Sequence, residues 1–168
     1  GPASPYIRHI SQTADGLLWF ATEAGLATFN KETGRWNLLT QADGLPGNRV
    51  QALVLHPDGR LWIGTDEGLA VRENGRFITR NNDDIREMAV GADGTVWYIT
   101  ADAVYRVRAG QTQNIAPPPV SQVYDVLATA EGFWLAAEEG VAFFAGAQEG
   151  NGRWLRFNVG EDLPGDRV

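Results

Sequence analysis

The chain has 168 residues, of which 43% are hydrophobic and 21% are charged, the composition of a folded domain with a substantial core. The net charge of −7 and the lack of a basic run argue against a nucleic-acid partner, and no apolar stretch of about 18 residues is present to span a membrane. The chain contains no Cys, which excludes disulfides and thiolate metal sites.

A segment that contains one tryptophan recurs four times along the chain. "DGLLWFATEAGL" (15–26) aligns without gaps on "DGRLWIGTDEGL" (58–69) and on "DGTVWYITADAV" (93–104), and "EGFWLAAEEGV" (131–141) follows with one deletion. The aligned tryptophans lie roughly 40 residues apart, a period typical of solenoids and propellers. They are Trp19, Trp62, Trp97 and Trp134.

Each unit has the pattern of four short strands. An apolar-spaced segment precedes an Asp-Gly or Glu-Gly turn, the strongest short hairpin signal, and two further turns follow. The run Leu61-Trp62-Ile63-Gly64 is apolar on both faces, which indicates a sheet that is covered on both sides. No segment has a helical period. We therefore predict an all-β fold, a β-propeller of four-stranded antiparallel blades, with the four repeated tryptophans in the blade cores.

The repeat also predicts the blade boundaries. Residues 1–5, which open on Gly1-Pro2, are interpreted as a linker or a remnant of protease cleavage, and "EDLPGDRV" (161–168) repeats "DGLPGNRV" (43–50), which introduces the second blade. We therefore expect residues 160–168 to lead into a fifth blade that the chain lacks. The predicted blades are 6–40 for blade 1, 49–80 for blade 2, 84–116 for blade 3 and 122–159 for blade 4.

The segment "GLPGNRVQALVLHPDGRLWIGTDEGLAVRENGRF" (44–77) resembles the two-component regulator propeller repeat. The shared pattern is Leu-Pro before an Asn and a Val, then Asp-Gly, then Leu-Trp-Ile-Gly-Thr, then Gly-Leu. The match weakens in the third and fourth repeats, where Ala103 and Ala136 replace glycines of the pattern. A weaker likeness to streptogramin lyases is carried by "DGLLWFATE" (15–23).

The first resemblance implies a sensor region of a bacterial two-component regulator, periplasmic or extracellular, that recognises a small molecule or glycan and signals to an output domain. One alternative is a structural or protein-interaction propeller fragment, and a second is a propeller lyase, for which His9 is the only histidine near the expected axis. No Gly-x-Ser-x-Gly and no His-Glu-x-x-His motif is present. We therefore predict no enzyme activity, no catalytic residue, no metal and no cofactor.

Polar residues interrupt the apolar spacing of the predicted innermost strands, which would surround the propeller axis. These positions are expected to bind a ligand at the axis or rim, and the alternative is a solvated channel wall without a ligand. The candidates are Arg8, His9, Arg49, Gln51, Arg86, Glu87, Tyr124 and Asp125.

Four blades in an open arc would leave one apolar sheet face uncovered at each end. A second copy packed head to tail, closure of the four blades on themselves, or further blades from elsewhere would each cover these faces. We expect the second copy, which completes a larger ring of eight blades, because repeat proteins are built from such nearest-neighbour contacts.

Overall fold

The computed structural model describes residues 4–115, 117–145 and 152–158 of the chain. These residues form four sheets of four consecutive strands each, together with one short 3-10 helix, Gln41–Asp43. The predicted fold class, an all-β propeller built of four-stranded antiparallel blades, is confirmed. Within the described ranges, no helix is long and apolar enough to cross a membrane.

The strands run in chain order through each blade. Blade 1 contains β1 (Ile7–Gln12), β2 (Leu18–Thr22), β3 (Gly25–Asn30) and β4 (Arg35–Leu39). Blade 2 contains β5 (Val50–Leu55), β6 (Leu61–Thr65), β7 (Gly68–Glu73) and β8 (Arg76–Asn81). Blade 3 contains β9 (Glu87–Val90), β10 (Val96–Ile99), β11 (Val104–Arg108) and β12 (Gln111–Ile115). Blade 4 contains β13 (Val123–Ala128), β14 (Gly132–Ala137), β15 (Gly140–Ala145) and β16 (Arg153–Asn158).

The chain divides into two compact units, and the boundary passes through blade 3. The first unit extends to Met88 and includes Tyr98–Ala101, and the second comprises Ala89–Trp97 and the chain from Asp102 onward. Blades 1 and 2 belong to the first unit and blade 4 to the second. The segment 161–168, on which the expectation of a further blade depends, lies outside the described residues.

The repeated tryptophans occupy the same register in the blades whose pairing is established. Trp19 lies opposite Ser11, Trp62 opposite Val54 and Trp134 opposite Leu127. Three of the four are core residues as predicted, since Trp19, Trp62 and Trp97 are between 1% and 6% exposed. Trp134 was also predicted to be a core residue, but its side chain is only half-buried. Its ring stacks on the ring of Phe143, with 4.3 Å between the ring centroids. In blade 4 the neighbouring Phe133 is the fully buried aromatic residue.

The core of the first unit lies between the facing sheets of blades 1 and 2. Blade 1 contributes Trp19, Ala21 and Leu26, and blade 2 contributes Leu53 and Ile63, all almost completely buried. Because every residue of β6 is buried, this strand is covered on both faces, as its apolar run predicted.

The other face of blade 2 packs closely at Gly64. A Cβ atom at this position would lie 2.5 Å from Ile85 Cγ2 and 3.0 Å from Met88 Sδ. Gly64 occupies the position in blade 2 that Ala21 occupies in blade 1, since each pairs with the residue that follows the bulge of the first strand. Ala21 is 0% exposed. The position therefore requires a small residue because the next stretch of chain packs directly over it.

The repeated Asp-Gly pairs are structural turns. The carboxylates of Asp15, Asp58 and Asp93 each accept a hydrogen bond from the backbone N–H two residues later, at 3.0 to 3.2 Å. The same side chain thus closes the hairpin between the first two strands of three blades. Hydrogen bonds to the carboxylates lower the pKa of all three aspartates.

Asp58 has the most extensive set of partners. The Arg60 guanidinium contacts Asp58 Oδ2 at 2.6 Å, and His56 Nδ1 lies 2.7 Å from Asp58 Oδ1. The hydrogen bond from Arg60 is the main reason why the pKa of Asp58 falls to about 2. The side chain of His56 is only 15% exposed, because it packs near the ring of Trp62.

We predict that Gly64→Ala lowers the free energy of unfolding by about 1–3 kcal/mol, the usual cost of overpacking a closely packed core. Urea denaturation of Gly64→Ala, Ile85→Ala and the double variant measures the effect. The double variant should be more stable than the sum of the single effects implies, because Ile85→Ala removes Cγ2, the nearest of the atoms that the new Cβ would meet. If the changes in unfolding free energy of the two single variants are strictly additive in the double variant, a side chain at position 64 does not contact Ile85.

We predict that Asp58→Asn destabilises the protein at neutral pH by less than about 1 kcal/mol, since the ion pair is partly exposed to solvent. The folded-state pKa of Asp58 is lowered, so its contribution is present above the unfolded value of 3.8 and is lost as the pH falls toward about 2. Unfolding midpoints of both proteins from about pH 6 to about pH 3 should therefore converge. A difference between the two unfolding midpoints that stays constant over this range would contradict the lowered pKa of Asp58.

Candidate functional site

A shift of register recurs in the first strand of three blades and leaves one residue outside the paired register at the same place in each. The shift lies between Ile7 and His9 in β1, between Val50 and Ala52 in β5, and between Val123 and Asp125 in β13. The residues without a paired partner are Arg8, Gln51 and Tyr124, all of them predicted site residues. A β-bulge re-aims the side chain of its extra residue away from the sheet faces. Sequence spacing predicted these positions, and the bulge explains why they are polar or exposed.

In these three strands the residue that follows the bulge lies on a sheet face instead. His9 is opposite Ala21, and Asp125 is opposite Ala136. In blade 2 this register position is held by Ala52, which is 0% exposed. The structure therefore places the predicted residues Arg8 and Tyr124 at bulges and the adjacent predicted residues His9 and Asp125 on sheet faces.

Two arginines converge on one carboxylate in the first unit. Arg8 Nη2 and Arg49 Nη2 each lie 3.7 Å from Glu23 Oε1. The three side chains are between 40% and 49% exposed, so solvent reaches the group from outside. These are loose ion pairs, and the guanidinium donors retain capacity for other acceptors.

A second polar group lies at the start of blade 3, within the same unit. Gln51 Nε2 donates to Asp84 Oδ1, and Arg86 Nε lies 3.5 Å from Asp84 Oδ2. The backbone N–H of Arg86 donates to the Ile99 carbonyl at 2.8 Å, which fixes this segment on its own blade. Asp84 was not among the residues predicted from the sequence, since it lies in a linker and has no counterpart in the repeat pattern.

His9 and Glu87 form a third polar contact. His9 Nε2 lies 3.3 Å from Glu87 Oε2, and the two side chains are 26% and 14% exposed. Among the described residues the same Glu87 oxygen is buried without a hydrogen-bond partner, so its contact with His9 does not have the geometry of a hydrogen bond. These three separate groups of contacts contain six of the eight predicted residues, together with Glu23 and Asp84. The six are Arg8, His9, Arg49, Gln51, Arg86 and Glu87.

The remaining two predicted residues belong to the second unit. Tyr124 is 61% exposed, and the Asp125 carboxylate accepts a hydrogen bond from the Val126 N–H at 2.8 Å. In the same unit Ser121 donates to Glu139, which lowers the pKa of that carboxyl group.

The linker between blades 1 and 2 is held by hydrogen bonds of Gln41, one of them to Glu67 in the turn between β6 and β7. Gln41 Nε2 donates to Glu67 Oε2 at 3.1 Å and to the Pro46 carbonyl at 2.8 Å. Asn48 Oδ1 accepts from the Gln41 N–H at 2.9 Å. The Leu-Pro-Gly-Asn segment is therefore a structural junction, with Leu45 buried in the core.

A groove of about 340 Å³ on the first unit is lined by Trp19, Asp43, Arg72 and Phe77, among others. Its charged groups are already engaged. The Arg72 guanidinium lies 4.9 Å from the Trp19 ring centroid, and Asp43 Oδ2 accepts a hydrogen bond from the Thr40 N–H. Among the residues that the structure describes, no three His, Asp or Glu side chains are placed to hold a metal ion.

Residues 44–67 match the model of the two-component regulator propeller family, which confirms the resemblance drawn from the sequence. The matched segment begins in the linker before blade 2 and ends in its second turn. No curated protein matches the sequence.

Several solved structures share the fold. The extracellular domain of the hybrid two component system BT4673 from B. thetaiotaomicron is 19% identical, with a TM-score of 0.74 over 95% of this chain and 22% of that chain. A virginiamycin B lyase from Staphylococcus aureus, solved with quinupristin, is 12% identical, with a TM-score of 0.72 over 94% of this chain and 57% of that chain. An ancestral GH74 enzyme is 19% identical, with a TM-score of 0.68 over 95% of this chain and 25% of that chain.

The chain spans between 22% and 57% of the length of these structures. They include a regulator domain and two enzymes. At these sequence identities the likeness establishes the propeller fold only, and the function has to be argued from the residues of the site.

We predict that Asn48→Ala lowers the free energy of unfolding by about 0.5–2 kcal/mol, comparable to the loss of a side-chain cap. Asn48→Asp should lose less stability than Asn48→Ala, because its carboxylate still accepts from the Gln41 N–H although it can no longer donate to Gln41 Oε1. Chemical denaturation of both variants measures the difference. Equal losses in the two variants would show that this hydrogen bond does not hold the linker.

Proposed function

We propose that this chain is a non-catalytic ligand-binding module of a sensor, which recognises a small molecule or glycan through the polar cluster of the first unit. This name covers two groups of contacts, Arg8 and Arg49 with Glu23, and Gln51 and Arg86 with Asp84. The observation that carries the proposal is the convergence of Arg8 and Arg49 on Glu23 at 3.7 Å, with all three side chains open to solvent.

The chemistry of the cluster suits a ligand rich in hydroxyl or carboxylate groups. Arginine presents several donors in a fixed plane and pairs well with carboxylates, whereas Glu23 and Asp84 accept hydrogen bonds from hydroxyl groups. The opposite charges nearly balance, so recognition would depend on directed hydrogen bonds more than on net charge.

The non-catalytic part of the proposal rests on the two histidines. His9 contacts Glu87, and His56 contacts Asp58 in a turn that closes a hairpin. Both histidines contact a carboxylate, whereas a hydrolase site pairs its histidine with a serine or another nucleophile. A lyase that used His9 is the competing enzyme hypothesis, and loss of activity in His9→Ala would support it.

The likeness to extracellular domains of two component systems supports an extracellular or periplasmic place for the module and a signalling role in a longer protein. A second function, a propeller that associates through its sheet faces, is favoured by the exposed apolar side chains Ile10 and Leu127.

Thermal-shift measurements with a panel of neutral and acidic oligosaccharides and small carboxylates test the proposal, since a specific ligand raises the melting temperature by mass action. We predict that Arg8→Gln and Arg49→Gln each abolish the shift produced by a binding compound, whereas Arg35→Gln, an exposed arginine of the outer strand β4, leaves it unchanged. A shift that survives both substitutions at the cluster would place the ligand elsewhere and contradict this site.

A further inference from the structure

The groove of about 340 Å³ lies between the outer strands of blades 1 and 2, within the first unit and outside the polar cluster. On the blade 1 side, Trp19, Thr28 and Asn37 pair in one row across three strands. On the blade 2 side, Arg72 pairs with Phe77. All five residues line the groove. Its volume lies in the lower part of the range of small-ligand sites, about 300–1,000 Å³.

Arg72 is a charged residue at a position that is apolar in blade 1. It is half-buried in β7 and pairs with Leu61 of β6. The equivalent pair in blade 1 is Phe29 with Leu18. A guanidinium in a half-buried row costs desolvation free energy that an apolar side chain avoids. The packing of the blade therefore does not require an arginine here, which points to a role for its charge.

The contacts of Arg72 use only one side of its guanidinium group. The group lies 4.9 Å from the centroid of the Trp19 ring, and such a cation–π contact engages its face, whereas its N–H donors lie in its plane. Asp15 attracts Arg72 through its charge, but no carboxylate or carbonyl of the described residues accepts a hydrogen bond from the guanidinium. These donors are therefore free to hold the carboxylate of a ligand, which a guanidinium binds with two parallel hydrogen bonds.

A group of opposite charge lines the same groove. Asp43 Oδ2 accepts hydrogen bonds from the Thr40 N–H at 2.9 Å and from the Thr40 hydroxyl at 3.3 Å. Within the described ranges, Asp43 Oδ1 accepts no hydrogen bond. The exposed Asn37 adds an amide, and Leu39 and Phe77 add apolar walls. The groove thus combines a cation, an anion and an apolar surface.

We propose that this groove binds a free amino acid with an apolar side chain. The carboxylate of the ligand pairs with Arg72, its ammonium group pairs with Asp43, and its side chain packs on Leu39 and Phe77. A zwitterion satisfies both charges of the groove, whereas a simple carboxylate is repelled by Asp43 and a simple amine by Arg72. The site shares no residue with the polar cluster, so this proposal goes beyond the function proposed above and stands independently of it.

Equilibrium dialysis of the full chain against leucine and against phenylalanine measures the binding directly. At least one of the two should bind. The N-acetyl and amide derivatives of that amino acid each lack one of its two charges, and each should bind about tenfold or more weakly because it loses a charge-assisted hydrogen bond. No binding of either amino acid overturns the proposal, and so does a derivative that binds as tightly as the free amino acid.

Substitutions that remove a charge test the site. Arg72→Gln and Asp43→Asn should each weaken binding about tenfold or more, and the Asp43→Asn side chain keeps an acceptor for the Thr40 N–H. Arg76→Gln is the matched control, because Arg76 is an exposed arginine of the same hairpin that does not line the groove. This control should bind as the unaltered chain does, and circular dichroism verifies the fold of each variant.

Asn37→Trp tests the site without altering either charge. Asn37 is exposed at the groove, so a bulky side chain there should fill the groove, abolish binding and leave the fold intact. Arg8→Gln alters the polar cluster and should bind the amino acid as the unaltered chain does, which separates this site from the ligand of that cluster. Binding that survives Asn37→Trp and Arg72→Gln, or that is lost in Arg8→Gln, would place the amino acid elsewhere and overturn the proposal.

Discussion

Close packing between facing sheets is the interaction on which the rest of this structure depends. Trp19 on one blade and Leu53 and Ile63 on the next are buried together, and the small residues Ala21 and Gly64 allow the next segment of chain to approach. Apolar burial of this kind is the main favourable term in folding. A sheet that is apolar on both faces is stable only when both faces find a neighbour, so the blade is not an independent unit.

The polar cluster follows from the same packing. Because the apolar sheet faces pack against the neighbouring blades, polar side chains lie at the sheet edges, at bulges and in linkers. The bulge that places Arg8 and Gln51 outside the paired register gives these residues an equivalent position in successive blades. Linker residues such as Asp84 then complete the cluster. A repeated scaffold thus presents side chains that differ from blade to blade, which is how one fold supports many ligands.

The blade architecture was predictable because the signals are local and repeated. The Asp-Gly turns and the doubly apolar run around Trp62 specify strands and their burial without knowledge of distant contacts. The contacts of the cluster were less predictable. Asp84 has no counterpart in the repeat, and the pairing of His9 with Glu87 joins residues far apart in sequence. The partial exposure of Trp134 was missed for a related reason, since burial depends on whether a neighbour covers the face and not on the residue itself.

Ala21, the small residue of the second strand of blade 1, is covered by blade 2, and its accessibility to solvent tests this packing directly. Because the chain has no Cys, the variant Ala21→Cys provides a unique thiol at a position that is 0% exposed. Thiol labelling under native conditions should proceed only through unfolding and be many orders of magnitude slower than in denaturant, whereas Thr33→Cys in an exposed turn should react at once. Labelling of Ala21→Cys at the rate of the exposed thiol would contradict the account.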